Sequence, residues 1–96
     1  MPLETLPYDS AEFLDSPEAV AAYLEEAFET ADAAFIARAL GIAARARGMT
    51  DIAREAGLSR ESLYRALGEN GNPEFATVLK VAKALGLKLG VKTAAG

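Results

Sequence analysis

Val20, Tyr23, Leu24, Ala27 and Phe28 fall along one stripe when the chain is read at 3.6 residues per turn. Glu18, Glu25, Glu26 and Glu29 take the opposite face. The stripe predicts a first amphipathic helix. Ser16 and Pro17 mark its start, the hydroxyl as a cap and the proline where a first turn needs no N–H. Phe35, Ile36, Ala39, Leu40 and Ala43 predict a second helix, from about Asp32 to Arg47, capped by Asp32 and ended by Gly48. Gly41 inside that helix costs up to ~1 kcal/mol relative to alanine, which points to close packing there. Phe75, Val78, Leu79, Ala82 and Leu85 predict a later helix that Gly86 ends. It follows the loop Glu69 to Pro73, with Asn72 or a neighbour as its start and Pro73 in its first turn. Lys80 and Lys83 sit in its later turns, where they suit the helix dipole. Leu87 to Lys92 alternate apolar and polar with period two, which predicts a short strand in need of a partner. Thr93 to Gly96 read as a frayed tail.

Residues 1–15 read as extended, because Pro2 and Pro7 break helix. Leu6, Tyr8, Phe13 and Leu14 are scattered apolar anchors. Such an arm either folds onto its own domain or binds another protein.

The twenty residues Met49 to Gly68 carry the sharpest pattern: a helix, a tight turn and a second helix. Thr50 is placed to cap the first of these. Ala53 is small where the two helices would cross. Gly57 stands where the first must stop, in the left-handed conformation that glycine adopts cheaply. Ser59 can cap the second. Leu58, Leu63 and Leu67 face a core, which leaves Arg60, Glu61, Tyr64 and Arg65 outward. A protruding helix with Arg, Tyr and a polar N-terminus suits the DNA major groove. The plainer alternative is a structural helical hairpin with a glycine cap. Glu61 and Arg65, four apart, have the spacing of an intrahelical ion pair, which competes with base contact by Glu61. Arg38 and Arg45, seven apart on the preceding helix, could reach phosphates or simply solubilise.

Composition narrows the choice. Ninety-six residues make one domain with an arm, and 21 alanines favour helix. No apolar run approaches the ~18 residues of a membrane span, and the acidic start does not look like a signal peptide. The chain has no Cys and no His, which excludes disulfides, thiolate zinc sites, Cys nucleophiles and His-based triads. Catalytic residues, a metal site and a cofactor are therefore not expected, nor is an enzyme. Cysteine usage fits a cytoplasmic location.

The net charge of −4 hides an asymmetry. Residues 1–30 hold eight acidic residues and no Lys or Arg; residues 31–96 hold ten basic residues against six acidic ones. A basic part of net charge +4 thus carries an acidic segment of net charge −8. The basic part can bind DNA by counterion release, and the acidic one must point away from DNA or meet a basic partner.

The stretches ARARGM, GLSRESLYRAL and NPEFATVLKVAKALGLKL, together with YDSAEFLDSPEAVAAYLEEAF upstream, resemble the probable addiction module antidote family over nearly the whole chain. Those are antitoxins with a Cro/phage-repressor-type helix-turn-helix. The resemblance implies an all-α fold: a small DNA-binding domain of lambda-repressor-like type, about five helices plus the short C-terminal strand. Charge and patterning divide the chain into an acidic arm and helix (1–30), a helix-turn-helix domain (31–86) and a strand and tail (87–96). The resemblance implies an antitoxin that binds and neutralises a RelE/ParE-type toxin and represses its own operator DNA; a homodimer would set two recognition helices one DNA turn apart. Carried onto this sequence, DNA contacts fall on Thr50, Arg54, Ser59, Arg60, Glu61, Ser62, Tyr64 and Arg65. The recognition helix would be Ser59 to Leu67. The toxin contact is assigned to the acidic segment, at Tyr23, Leu24, Glu25, Phe28 and Glu29. Only four residues separate Gly48 from Ala53, about two fewer than in phage-repressor domains, so the positioning helix is short and a contact at Thr50 is the less secure. A stand-alone repressor, or a protein-binding module without DNA binding, are the alternatives.

Overall fold

The computed structural model describes residues 14–95, which form five helices and no strand. They are α1 (Pro17–Glu29), α2 (Ala33–Arg47), α3 (Met49–Ala56), α4 (Arg60–Ala66) and α5 (Phe75–Ala84). The expected arm, with Leu6, Tyr8 and Phe13, lies outside the described residues. Leu14, the first of them, is buried in the core.

Local chemistry sets most helix ends. Ser16 Oγ accepts from the Ala19 amide at 3.1 Å and starts α1. Asp32 Oδ1 accepts from the Ala34 and Phe35 amides at 3.1 and 3.2 Å and starts α2. Gly57, at φ 73, closes α3, and the Leu58 amide then bonds the Ala53 carbonyl at 2.9 Å. Two expected starts differ. Thr50 does not cap α3: Gly48, at φ 106, turns the chain straight from α2 into α3, so α3 begins at Met49 without a side-chain cap. Pro73 does not enter α5 and Asn72 does not cap it, because the chain stays extended through Glu74 before Phe75 opens the helix.

α1 packs on α2, and α3 packs against α2, α4 and α5. Val20, Leu40, Leu63, Val81 and Leu85 are fully buried at the centre, one or more from each of α1, α2, α4 and α5. Ile52 and Ala53 of α3 join them. The end of α2 is tied to the end of α5 by Arg47, whose guanidinium donates to the Leu85 carbonyl at 3.4 Å.

Gly41 has the packing partner that its position required. A β-carbon there would stand 2.9 Å from the Leu67 carbonyl oxygen and 3.4 Å from the Leu67 β-carbon. The last residue of the α4 turn thus lies directly on the α2 backbone.

Four stripe residues are more exposed than their periodicity implied: Phe28, Phe35, Leu79 and, at 71%, Phe75. Ala37, Ala44 and Val81 are buried instead. The expected C-terminal strand is absent. Leu87 to Lys92 run without regular structure, and no segment among the described residues lies alongside to pair with them. Half-buried Leu87 packs against the core, while Leu89 and Val91 are exposed.

Candidate functional site

α3 and α4 are joined by Gly57, Leu58 and Ser59. Ser59 Oγ accepts from the Ser62 amide at 2.9 Å and donates to Ser62 Oγ at 2.9 Å. The Ser59 hydroxyl is therefore the cap of α4, and the Ser62 hydroxyl is engaged with it. With Leu63 and Leu67 fixed in the core, the seven-residue helix must show Arg60, Glu61, Tyr64 and Arg65 to solvent, and all four are exposed.

The Tyr64 ring collects cations. The Arg60 guanidinium carbon lies 5.4 Å from its centroid and that of Arg45, reaching over from α2, lies 5.9 Å away. Such contacts are worth about 0.5–1 kcal/mol each at an exposed site, enough to bias the guanidinium positions. Arg45, Gly48, Met49, Thr50, Asp51, Arg60 and Tyr64 line an open concavity of about 350 Å³ where α2, α3 and α4 meet. Of the residues assigned to DNA, this hollow holds Thr50, Arg60 and Tyr64.

The remaining assigned residues stand apart from the hollow. Arg54 is committed to Asp51, at 2.7 Å between exposed side chains. That pair partly neutralises the carboxylate that would otherwise oppose a phosphate in the hollow. The Glu61–Arg65 ion pair that the spacing favoured is not formed; Asp51–Arg54 is the ion pair present among the described residues. Arg45 was not among the assigned contacts. Its signal was its helical phase with Arg38, and only the packing of α2 behind α4 singles it out from that pair.

The assigned toxin residues of α1 divide. Glu25, Phe28 and Glu29 are exposed together. Leu24 is buried beneath them, and Tyr23 is half-buried on another side of the helix. Leu24, Glu25, Phe28 and Glu29 form one wall of a second, larger groove of about 850 Å³. Its other walls are Phe75, Val78 and Leu79 of α5 and the extended segment Leu87 to Lys92.

Among the described residues no group of side chains could hold a metal, and no helix is long and apolar enough to cross a membrane. What the surface offers is recognition: a helix with paired Arg and Tyr on one side, and an acidic and apolar helix face on the other.

The described residues thus form a small all-helical domain with two distinct surface faces. A family model described as "probable addiction module antidote protein" matches residues 4–93, so the chain belongs to that family, the antitoxin half of toxin–antitoxin modules. An uncharacterized protein of Haemophilus influenzae is 52% identical to it over 85 residues, 88% of each chain. No solved structure matches the chain.

Proposed function

We propose that this antitoxin does two things with two faces. It neutralises a RelE/ParE-type toxin through α1 and represses its own operator DNA, as a homodimer, through a helix-turn-helix formed by α3 and α4. It works in the cytoplasm and needs no cofactor. The observation that carries the DNA reading is the convergence of Arg45 and Arg60 on Tyr64 at the exposed side of α4. Two guanidiniums held beside a polar helix suit a phosphate backbone and the guanine edge in the major groove.

In a homodimer the two α4 helices would sit about one DNA turn apart, roughly 34 Å, on a palindromic operator. Arg60 or Arg65 would contribute ~1–3 kcal/mol of base discrimination if bidentate to guanine. Arg45 and Thr50 would meet phosphates, with Ser59 and Ser62 holding the helix start in position. Arg54, engaged with Asp51, would be a weaker phosphate contact, and Glu61, free of Arg65, is available to accept from a cytosine amine.

The toxin reading rests on family membership and on charge. All eight charged residues of segment 1–30 are acidic, and Glu25, Phe28 and Glu29 present acid and apolar surface together. Leu24 supports this face from below, and Tyr23 borders it. A toxin that acts on RNA offers a basic surface to match.

Truncation of residues 1–30 is a poor test, because Val20, Leu24 and Ala27 belong to the core. Charge reversal, Glu25→Lys with Glu29→Lys, leaves that core intact. Co-expression with the toxin encoded beside it should then lose protection of growth, while circular dichroism shows the variant still folded. Full protection by the folded double variant would remove α1 from the toxin contact.

A further inference from the structure

We infer that the groove between α1, α5 and the extended segment 87–92 is the surface on which a second copy of this chain seats. The inference deepens the homodimer part of the function proposed above and rests on it.

Five of the seven large hydrophobic side chains exposed among the described residues line the groove. Phe75 is 71% exposed and Val91 wholly so, with Phe28, Leu79 and Leu89 beside them. A contiguous patch of this kind marks an interface.

The charges on its walls choose the occupant. Glu25 and Glu29 stand on one wall, and Lys88 and Lys92 on the other. A partner of a single sign could match only one of the two walls. A two-fold axis puts the same patch on both sides, so the acidic wall of one copy meets the basic wall of its mate and the reverse.

The backbone adds a second form of complementarity. From Lys88 to Lys92 no backbone N–H or carbonyl bonds another backbone group among the described residues. The segment has the period-two pattern of a strand and an open edge, the kind that pairs with a strand from another chain. Antiparallel pairing with the same segment of the second copy would supply the partner that the alternation of Leu87, Leu89 and Val91 calls for.

Geometry keeps this compatible with DNA binding. No residue of α3 or α4 lines the groove, and no residue of the groove lines the hollow around Tyr64. Two copies joined here would keep both α4 helices uncovered. Because Glu25, Phe28 and Glu29 also serve the toxin reading, the groove holds a second copy or the toxin at those side chains, one at a time.

The test is the mass of the full chain in solution, without toxin, by sedimentation at micromolar concentration. The wild type should sediment at twice the 10.1 kDa chain mass. Phe75→Glu and Val91→Glu alter exposed side chains, so both should fold, as circular dichroism would verify. Each should weaken self-association by about tenfold or more. Glu25→Lys with Glu29→Lys should do the same, and adding Lys88→Glu with Lys92→Glu should restore the dimer. A wild-type dimer indifferent to all these changes would overturn the groove while leaving the homodimer reading in place. A wild-type monomer would overturn both.

Discussion

Replacing Gly41 by alanine should destabilise this protein, which is the reverse of what the substitution does in an ordinary helix. Helix propensity alone favours alanine by about 1 kcal/mol. The new β-carbon, however, would stand 2.9 Å from the Leu67 carbonyl oxygen, closer than such atoms approach in folded chains. Leu67 cannot easily retreat. Its side chain is buried, and its amide is bonded to the Leu63 carbonyl at 3.0 Å, with Leu63 itself fully buried. Overpacking a close-packed contact costs about 1–3 kcal/mol. The difference is a net loss of about 1 kcal/mol. Urea unfolding followed by circular dichroism measures it: the midpoint should fall while the slope stays constant. A midpoint equal to or above that of the wild type would refute the reasoning, because it would mean that α4 moves off α2 without cost. The strain would fall at the end of α4, so the same variant should also bind operator DNA less tightly.

Further outcomes follow from the same contacts. Ser59→Ala removes the α4 cap and should cost about 1 kcal/mol in chemical unfolding, with Ser59→Gly closer to neutral. Leu63→Ala opens a cavity at the centre of the core and should cost about 2–5 kcal/mol, measured the same way. Arg45→Ala should weaken binding to operator and scrambled DNA alike and lower the salt slope by about one, as expected of a phosphate contact. Arg60→Ala, if it loses a base contact, should weaken operator binding by ~1–3 kcal/mol in a fluorescence-anisotropy titration and leave binding to scrambled DNA less affected.

The features legible in the sequence are those decided within a few residues. Ser16, Asp32 and Ser59 cap helices because a hydroxyl or carboxylate reaches an amide two or three positions ahead. Gly57 stops α3 for an equally local reason. Thr50 was misread because Gly48 serves both helices at once, and nothing in the side chains announces so short a turn. Periodicity put Phe35, Phe75 and Leu79 on apolar stripes, yet it carries no information on how much of each stripe neighbours cover. The cost of a glycine inside a helix points to close packing at Gly41, but the partner, Leu67, is 26 residues away in the chain and out of reach of local reasoning.

The candidate site divides in the same way. Outward placement of Arg60, Glu61, Tyr64 and Arg65 followed from Leu63 and Leu67 being core residues. The role of Arg45 depends on α2 lying behind α4, a tertiary fact. The same holds for Asp51, which takes Arg54 in place of leaving it free. The alternation in Leu87 to Lys92 predicts a strand that the structure does not contain, because a strand needs a partner and the described residues supply none.

The central claim, that this antitoxin is also a repressor working through α4, is tested most directly by a salt titration of its binding to the DNA upstream of its own gene, beside scrambled DNA of the same length. The account predicts tighter binding to the upstream DNA, with log affinity falling steeply and linearly against log salt for both sequences. Equal affinity for the two at every salt concentration would contradict it, and would leave the toxin contact proposed for α1 as the remaining reading.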